Sequence, residues 1–304
     1  MKQAVILAGG KGTRLKEVSG NLPKSMVPVQ GKPLLQHLIE QCVEYGITDI
    51  KLLISYKKEV IEDYFGDGDQ YGATIQYIVE DTPRGTAGAL MDALPELDEQ
   101  FLVVYGDTFF DIDLGSFWVF HQNQAGDASI FLHPNDHPYD SDLVEVNSDF
   151  QVQKIHPYPH DSQWRQNLVN AAVYMFNKNA LQGIDFVSDR PDIAKELFPL
   201  MLESEKKLYG YISTEYIKDM GTPERLSKVE RDINSGKVKS LKKQTSKIAI
   251  FLDRDGTINQ EVNHLSSQEQ FELIDGVDKA ICQINAAGIL AVVVTNQPVI
   301  ARGE

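Results

Sequence analysis

The sequence predicts an α/β fold, because short apolar runs alternate along the chain with segments whose apolar residues recur at helical spacing. The pattern is clearest in the first hundred residues and weakens after residue 128, where proline, asparagine and aspartate turns separate shorter runs. The predicted strands are residues 4–8, 50–54, 74–79 and 101–105, and the predicted helices are residues 34–46, 57–65 and 85–94.

The first predicted strand, residues 4–8, leads directly into a loop rich in glycine and basic residues. Its uninterrupted apolar run is typical of a buried parallel strand. Because glycine has no Cβ, we expect the backbone of this loop to take positive φ angles and to bring N–H groups close to an anion. The loop glycines are Gly9, Gly10 and Gly12, and the nearby cations are Lys11, Arg14 and Lys24. The spacing matches neither GxGxxG nor GxxxxGK[ST], and a plain turn between strand and helix fits the glycines equally well.

Later elements mark out two domains. Thr222, Pro223 and Glu224 are predicted as the N-cap and first positions of a helix that runs to about Ile233. The lysine-rich segment that follows is predicted to be a solvated linker rather than a phosphate-binding patch, because no apolar periodicity accompanies its charges. The predicted division is therefore a first domain at 1–234, a linker at 235–247 and a second domain at 248–304.

Composition limits the classes of partner. A chain of 304 residues with 42% hydrophobic content can bury a large core. Its net charge of -15 argues against a nucleic-acid partner, so any phosphate must be bound locally. We expect a cytoplasmic protein without a membrane partner, because the sequence contains neither a membrane-length apolar run nor a signal peptide. Cys42 and Cys282 lie in apolar helical patterns and are predicted to be buried free thiols.

A second strand-and-loop signal begins at Ile248. Five apolar residues lead into Asp253-Arg254-Asp255-Gly256-Thr257, which places two carboxylates two residues apart. One carboxylate of such a pair can attack phosphorus while the other donates a proton to the leaving oxygen. An aspartate-rich turn is the alternative, whereas a calcium loop is excluded because its terminal glutamate is missing.

The glycine loop, taken with later motifs, resembles the signature of the sugar-phosphate nucleotidyltransferases, also called NDP-sugar pyrophosphorylases. The motifs that carry the resemblance are Leu7-Ala8-Gly9-Gly10-Lys11-Gly12-Thr13-Arg14-Leu15 with Pro23-Lys24, Pro83 to Leu90, Gly106-Asp107, Asn170 to Tyr174, and Asp219 to Glu224. The resemblance implies a Rossmann-like, mixed but mostly parallel sheet. It also implies an enzyme that transfers a nucleoside monophosphate from a nucleoside triphosphate to a sugar 1-phosphate with the help of Mg²⁺.

The resemblance also implies site residues. Arg14 and Lys24 would contact the reacting phosphates, and Asp107 and Asp219 would hold Mg²⁺, although each aspartate taken alone could be a turn or cap residue. The implied nucleotide-binding residues are Leu7, Ala8, Gly9, Gly10, Gly12, Thr13, Glu80, Pro83 and Gly85. A carboxylate at Glu80 could accept from both the ring N–H and the amino group of guanine, which favours GTP; a solvated strand end is the alternative.

One motif departs from the family. Where many members have Glu-Lys-Pro, with the lysine on the sugar phosphate, this chain has Pro157-Tyr158-Pro159. Tyr158 and Asn170 are the predicted sugar-phosphate contacts, within a sugar-binding subregion at residues 128–176. His156, His160 and Arg165 are alternatives to Tyr158, and the histidines can equally be ordinary loop residues.

The second domain resembles the haloacid dehalogenase-type phosphatases, in the branch that acts on histidinol phosphate and heptose bisphosphate. The resemblance lies in Asp253 to Asn259 and Val292 to Gln297. It implies Asp253 as nucleophile, Asp255 as general acid/base, and Thr295 and Asn296 as phosphate contacts. The later lysine, the acidic magnesium motif and the cysteine-rich zinc loop have no counterpart here. We therefore expect this part to be inactive, as a truncated form of a longer bifunctional enzyme.

Together, the two resemblances suggest a guanylyltransferase for D-glycero-D-manno-heptose 1-phosphate, joined to part of the phosphatase that would supply this substrate. The alternatives are a hexose 1-phosphate nucleotidyltransferase that uses UTP, dTTP or CTP, and a regulatory subunit that binds nucleotide sugars without catalysis. Molybdopterin guanylyltransferases share a related glycine loop, but the Gly-Thr-Pro-Glu motif after Asp219 disfavours them. A homo-oligomer stays possible.

Overall fold

The chain forms two compact units, Met1–Lys243 and Gln244–Glu304. The computed structural model describes residues 3–10, 20, 22–135, 138–160, 165–244, 248–262, 265 and 267–296. Four residues singled out in the glycine loop, Lys11, Gly12, Thr13 and Arg14, lie outside these ranges, so their predicted roles stay predictions.

The first unit is built on a nine-stranded mixed sheet. Its strands, with those of two small hairpin sheets, are β1 (Gln3–Leu7), β2 (Pro28–Val29), β3 (Lys32–Pro33), β4 (Asp49–Ile54), β5 (Thr74–Val79), β6 (Gln100–Tyr105), β7 (Thr108–Asp111), β8 (Ala128–His133), β9 (Leu143–Val146), β10 (Val152–His156), β11 (Val169–Asn177), β12 (Leu208–Ile212) and β13 (Tyr216–Asp219). The α-helices are α1 (Leu34–Glu44), α2 (Lys58–Phe65), α3 (Gly85–Ala93), α4 (Leu114–Gln124), α5 (Phe198–Glu203), α6 (Pro223–Asn234) and α7 (Lys237–Leu241).

The sheet is parallel on one side and largely antiparallel on the other. Its order is β10-β9-β11-β6-β1-β4-β5, with β8 beside β11 and β12 beside β8. β5, β4, β1 and β6 run parallel, whereas β11 is antiparallel to β6, β8 and β9. The prediction of a mostly parallel sheet was therefore too strong. Residues 128–176 add strands β8 to β11 to the same sheet. Among the described residues no α-helix connects these strands, and antiparallel pairing, unlike parallel pairing, does not need a helical crossover.

The central parallel strands β1, β4 and β6 are buried on both faces, whereas the edge strand β5 has exposed residues along one face. Ala4 and Ile6 pack into one apolar cluster with α1, and Val5, which points the other way, packs into a second cluster with α3. This double burial explains why the strand sequences lack polar alternation. A fully buried aliphatic side chain stabilises the fold by about 1.5–3 kcal/mol, so these strands form a rigid base for the loops at their ends.

The carboxyl ends of the central strands meet at one edge of the sheet. Leu7, which ends β1, is paired with Leu53 on one side and Tyr105 on the other. The glycine loop and the Gly106-Asp107 turn therefore start side by side. Such an edge is where ligands bind in open α/β sheets.

Helix α6 begins as its sequence predicts. Thr222 is the N-cap, its hydroxyl accepts a hydrogen bond from the Arg225 backbone N–H at 3.4 Å, and Pro223 occupies the first turn. The helix follows β13, which pairs with β7 in a hairpin-like sheet that sets Asp219 opposite Thr108.

The segment predicted as a solvated linker packs on the first unit up to Lys243. Val238 of α7 is buried, and Lys242 Nζ lies 3.0 Å from carboxylate oxygens of both Glu44 and Asp111. Lys243 Nζ donates to the Tyr211 hydroxyl at 2.8 Å. The lysines therefore pair with acidic and phenolic groups, which sequence periodicity could not reveal; residues 245–247 lie outside the described ranges.

The second unit contains a two-stranded parallel sheet of β14 (Ala249–Asp253) and β15 (Leu290–Val294), with helix α8 (Val277–Ala286) between them in sequence. No residue of α8 is buried, and Cys282 is exposed, so the prediction that it is buried was wrong. Cys42 is buried in α1 as predicted, and burial raises the pKa of its thiol to about 12.

Within the described ranges, no helix has the length and apolar content needed to cross a membrane.

Candidate active site

A cavity of about 300 Å³ opens at the carboxyl ends of β1 and β6. It brings together many of the residues that the sequence singled out, although they are spread over a hundred positions of the chain. The predicted residues in its wall are Leu7, Ala8, Gly9, Gly10, Lys24, Glu80, Pro83, Gly85 and Asp107. We call this space the larger cavity.

The glycines in this wall are explained by the close approach of neighbouring atoms, not by a need for positive φ angles. Gly9 and Gly10 do not have positive φ angles, so that expectation was wrong for the described part of the loop. A Cβ on Gly9 would lie 3.0 Å from Glu80 Oε2 and 3.3 Å from Ser55 Cβ, and a Cβ on Gly106 would lie 2.9 Å from the Leu7 carbonyl oxygen. The glycines therefore let the Glu80 carboxylate and the neighbouring strand ends come together.

Glu80 sits where β5 ends, with one carboxylate oxygen engaged by the protein. The Arg84 backbone N–H donates to Oε1 at 3.2 Å. Burial raises the pKa of the Glu80 carboxyl above its ordinary value, and the Arg84 hydrogen bond lowers it in part. The remaining lone pairs of this carboxylate are available to a ligand in the larger cavity.

The loop after Glu80 is anchored from a distant part of the chain. Gly85 has a φ of +74°, and a Cβ there would lie 2.5 Å from the Pro191 carbonyl oxygen. Thr86 Oγ1 donates to Asp192 Oδ2 at 2.9 Å, and the Ala87 backbone N–H donates to Pro191 O at 3.0 Å. The loop that borders the cavity is thus held in place before any ligand enters.

Lys24 and Asp107 meet directly in the wall. Lys24 starts one turn of 3₁₀ helix, and its Nζ donates to Asp107 Oδ2. Both side chains are partly accessible, with 15% of Lys24 and 33% of Asp107 exposed. Lys24 is predicted to contact a phosphate and Asp107 to hold Mg²⁺, but in the structure the two side chains neutralise each other's charge.

Sequence reasoning missed Ser25, which lies beside Lys24. Its side chain is 2% exposed, its Oγ has no hydrogen-bond partner among the described residues, and it lines the larger cavity. An unpartnered buried hydroxyl is costly, so it calls for an explanation. The sequence does hold a clue to its burial, because Ser25 is a lone polar residue between Lys24 and the apolar Met26-Val27-Pro28.

Asp219 lies next to Asp107 across the β7–β13 pairing. The Met220 backbone N–H donates to the Asp107 carbonyl at 2.8 Å, which fixes the two strand ends against each other. The Asp219 carboxylate accepts from Arg225 Nη1 at 2.5 Å and 2.6 Å. The sequence did not identify Arg225, because its contact with Asp219 depends on how the chain turns between the end of β13 and the first turn of α6.

The two aspartates fit Mg²⁺ by donor chemistry. Mg²⁺ prefers hard oxygen ligands and is usually bound by one or two carboxylates plus substrate phosphates and water. Among the described residues, no group of three or more His, Cys, Asp or Glu side chains is arranged to hold a metal. A carboxylate pair that relies on a phosphate ligand is compatible with both observations.

A second cavity, of about 150 Å³, lies at the end of the two-stranded β7–β13 sheet where Thr108 pairs with Asp219. We call it the smaller cavity. Thr108 and Asp219 form one wall, and Asp142 and Asn170 are also in its lining. Ala172, in the same lining, has a φ of +57° at a bulge in β11, and its N–H donates to Asn170 Oδ1 at 3.1 Å.

Tyr158 does not line the smaller cavity. Its side chain is 50% exposed, and its backbone N–H donates to Asp142 Oδ1 at 2.8 Å. His160 Nε2 lies 3.2 Å from the Ser141 carbonyl, and His156 Nε2 lies 3.3 Å from a Glu145 carboxylate oxygen. The loop therefore contacts the cavity lining through the backbone of Tyr158, which orients Asp142. The sequence did not single out Asp142.

Comparison with known proteins identifies the family. The profile of the family described as Nucleotidyl transferase matches residues 3–236. The chain belongs to the nucleotidyl transferase family. The expectation drawn from the glycine-loop motifs is thereby confirmed at the level of family and of an α/β fold with a mixed sheet.

Among relatives of this nucleotidyl transferase, a mannose-1-phosphate guanylyltransferase of Mycobacterium tuberculosis is 33% identical over 235 residues, which covers 77% of this chain and 65% of the relative. The chain thus spans just under two thirds of that relative. A D-glycero-alpha-D-manno-heptose 1-phosphate guanylyltransferase of Campylobacter jejuni is 35% identical over 224 residues, 73% of this chain and 96% of the relative. The crystal structure of HddC from Yersinia pseudotuberculosis complexed with GMP-PN superposes with a TM-score of 0.64 at 29% identity, covering 77% of this chain and 100% of HddC.

The second unit of this nucleotidyl transferase lies beyond the matched range, so its resemblance to phosphatases rests on sequence motifs alone. Asp253 ends β14 opposite Val294 of β15, and Thr295 and Asn296 follow that strand. The Asp255 carboxylate accepts from Arg254 Nη2 at 2.8 Å and from Asn259 Nδ2 at 3.1 Å. The predicted residues therefore lie at the carboxyl ends of two adjacent parallel strands.

Proposed function

We propose that the first unit transfers GMP from GTP to a sugar 1-phosphate, with release of pyrophosphate. The main support for the proposal is a pair of aspartates at neighbouring strand ends: Asp107, directly before β7, lines the larger cavity, and Asp219, at the end of β13, lines the smaller one. In this arrangement GTP occupies the larger cavity and the sugar 1-phosphate occupies the smaller one. The two reacting groups then meet at the aspartates.

In the proposed reaction, a phosphate oxygen of the sugar 1-phosphate attacks the α-phosphorus of GTP in line. The bond from that phosphorus to the bridging oxygen breaks, and pyrophosphate leaves with its electron pair. Such a transfer depends on positioning and charge neutralisation rather than on a covalent intermediate with the protein. When bound at Asp107 and Asp219, Mg²⁺ would neutralise charge on the reacting phosphates. Lys24, in the wall of the larger cavity, would move from Asp107 to a phosphate oxygen.

We propose guanine as the base because of the position of Glu80. Its carboxylate lines the larger cavity, and Oε2 lies beside Gly9, away from the Arg84 contact. A carboxylate can accept from both the ring N–H and the amino group of guanine, whereas uracil and thymine offer one such donor. Relatives named as guanylyltransferases and the HddC complex with GMP-PN support this choice.

We propose D-glycero-D-manno-heptose 1-phosphate as the sugar substrate, with mannose 1-phosphate as the nearest analogue. Both sugars have the manno configuration, and the two relatives described above are named for them. The carboxylate of Asp142 and the amide of Asn170 in the smaller cavity are suited to sugar hydroxyl groups.

A pyrophosphate-release screen tests the proposal. GTP, ATP, UTP, CTP and dTTP would each be combined with mannose, glucose and heptose 1-phosphates in the presence of Mg²⁺. We expect the highest turnover with GTP and the heptose substrate. A preference for a pyrimidine triphosphate would indicate the hexose enzyme of other base specificity, and binding of nucleotide sugars without any turnover would indicate the regulatory subunit.

For the second unit, we propose a relation to the haloacid dehalogenase-type phosphatases, without phosphatase activity of residues 248–304. The relation of Asp253 to Thr295 at adjacent strand ends supports the resemblance. Activity is not expected from these residues, because among them we recognise no counterpart of the later lysine or of the acidic magnesium motif that would neutralise the phosphoryl group. An assay of inorganic phosphate release from sugar bisphosphates, with Asp253→Asn as the control, tests this; turnover that Asp253→Asn abolishes would contradict it.

A further inference from the structure

A sugar 1-phosphate carries about two negative charges, and the described wall of the smaller cavity already contains two carboxylates beside His133 and Lys218. Asp142 and Asp219 line the smaller cavity, and Asp140 adjoins Ser141 in its lining. Like charges at short range raise the free energy of binding unless a cation compensates them. Tyr158, which the sequence predicts as a sugar-phosphate contact, carries no positive charge and does not line the smaller cavity.

Arg225 lies next to this wall rather than in it, because it contacts Asp219, which lines the cavity. Its Nη1 contacts the Asp219 carboxylate at 2.5 Å and 2.6 Å, and its Nη2 lies 3.9 Å from Asp140 Oδ2. The guanidinium thus lies between two carboxylates at the edge of the smaller cavity. The Arg225 side chain is 27% exposed, so a ligand can reach it.

We propose that Arg225 binds the phosphate group of the sugar 1-phosphate. This inference rests on the proposed function and adds a specific residue to it. If Asp219 held a metal ion, the guanidinium would be free to exchange this carboxylate for the phosphate of the sugar 1-phosphate. A planar guanidinium suits this exchange, because its paired N–H groups match the oxygens of carboxylate and phosphate equally well.

Other cations near the smaller cavity fit the role less well. His156 is directed to Glu145, and Lys24 is directed to Asp107 in the larger cavity. Lys218 contributes to the lining of the smaller cavity, but strand alternation directs its side chain to the face of β13 opposite to that of Asp219. Among these cations of the described residues, Arg225 is the one for which a direct contact with the Asp219 carboxylate is seen.

The test compares Arg225→Met and Arg225→Lys with the matched control Lys228→Met. Lys228 lies one turn further along α6, is 35% exposed, and pairs with Asp232 at 3.6 Å, away from the smaller cavity. Three quantities would be measured for each protein: the KM for GTP, the KM for mannose 1-phosphate, and the calorimetric Kd of mannose 1-phosphate. Calorimetry would use Mg²⁺ and a GTP analogue with a methylene bridge between the α and β phosphorus atoms, which prevents turnover.

We expect Arg225→Met to raise the KM and Kd for mannose 1-phosphate on the order of 10- to 100-fold, the range for loss of a charge-assisted hydrogen bond. Arg225→Lys should recover part of the loss, and Lys228→Met should match the wild type. Glucose 1-phosphate should lose as much as mannose 1-phosphate, because the contact is to the phosphate and not to the sugar ring. The KM for GTP should change less than threefold in every variant.

Three results would overturn the assignment: an unchanged Kd for mannose 1-phosphate in Arg225→Met, an equal rise in the KM for GTP, or the same loss from Lys218→Met. If the wild type turns over and Arg225→Met binds mannose 1-phosphate normally, only this inference fails. If the wild type neither turns over nor binds mannose 1-phosphate, the proposed function fails with it.

Discussion

Lys24 and Asp107 come from different loops and form an ion pair in the wall of the larger cavity. Asp219 and Arg225 form a second pair on the adjoining strand end. Each pair joins a carboxylate that can bind a metal to a cation that can bind a phosphate. Entry of a metal-bound nucleotide and a sugar phosphate would exchange the partners of all four groups, so charge balance is kept before and after substrate binding.

The first prediction concerns Asp107. We expect Asp107→Asn to lower the rate of pyrophosphate release by at least about 100-fold, because an amide cannot supply the negative charge that holds the metal and the reacting phosphates. Its side chain is 33% exposed at a strand end, so the fold should survive the change. Circular dichroism and thermal unfolding would check the fold. Magnesium-dependent turnover close to that of the wild type would show that Asp107 is not a metal ligand.

The second prediction concerns the unpartnered hydroxyl of Ser25. Ser25→Ala should raise the KM for GTP on the order of 10-fold, since a hydroxyl that donates to a phosphate oxygen would be lost. The same change should stabilise the free protein by about 1 kcal/mol, because it removes a buried polar group with no partner. Urea unfolding measures this second effect.

Ser129→Ala is the control for Ser25. Its hydroxyl lies 2.9 Å from His121 Nδ1 inside the core, so its removal should destabilise the protein and leave the KM for GTP unchanged. If Ser25→Ala destabilises the protein as much as Ser129→Ala and leaves the KM for GTP alone, the Ser25 hydroxyl is structural.

The third prediction concerns the strained backbone at Ala172. Its φ of +57° is a left-handed conformation that costs a residue with a Cβ about 1–2 kcal/mol. Ala172→Gly should therefore raise the free energy of unfolding by roughly 1 kcal/mol. Ala171→Gly is the matched control, because Ala171 is not among the residues with positive φ, and glycine should destabilise the protein there. Equal destabilisation by both changes would contradict the strain.

The fourth prediction concerns pH and Glu80. Because burial raises the pKa of this carboxyl above 4.5, the group takes up a proton at a higher pH in the folded protein than in the unfolded chain. Its contribution to stability is therefore greatest at low pH and is lost as the pH rises through the folded pKa. GTP binding has the opposite dependence, because only the ionised form accepts from both guanine donors.

Measuring the KM for GTP as the pH falls from 8 to 5 tests this prediction. In the wild type the KM should rise as the pH approaches the pKa of Glu80. In Glu80→Gln the KM for GTP should be high throughout, without that rise, and the unfolding free energy at pH 8 should be greater than in the wild type. A wild-type KM that stays constant while Glu80→Gln binds GTP normally would remove Glu80 from base recognition.

In the first unit, the sequence predicted those helices and strands whose pattern lies within a short stretch of the chain. The apolar spacing through Leu34, Leu38 and Cys42 defines the buried face of α1, and Thr222 with Pro223 defines the start of α6. Both depend on residues within a few positions of each other. The antiparallel entry of β11 beside β6 depends on long-range pairing, and no pattern in either strand indicates it.

The site divides in the same way. The glycine loop, Glu80 and the two aspartates stand out as motifs, whereas Ser25 and Arg225 acquire meaning only through burial and through a contact across the β13–α6 turn. Cys282 shows the converse error, because an apolar helical pattern predicts a buried face only where other elements cover it. The side chain of Tyr158 was predicted by its position in a motif, yet its backbone is what reaches Asp142.

In the proposed reaction, one metal-assisted step joins a nucleoside monophosphate to a sugar 1-phosphate between the two cavities. Incubation with GTP labelled at the α-phosphorus, mannose 1-phosphate and Mg²⁺, followed by separation of the products, tests it most directly. We expect label in GDP-mannose, with one pyrophosphate released per labelled product and none formed without the sugar phosphate. Label that stays in GTP, or that appears in GMP or GDP whether or not the sugar phosphate is present, would contradict it.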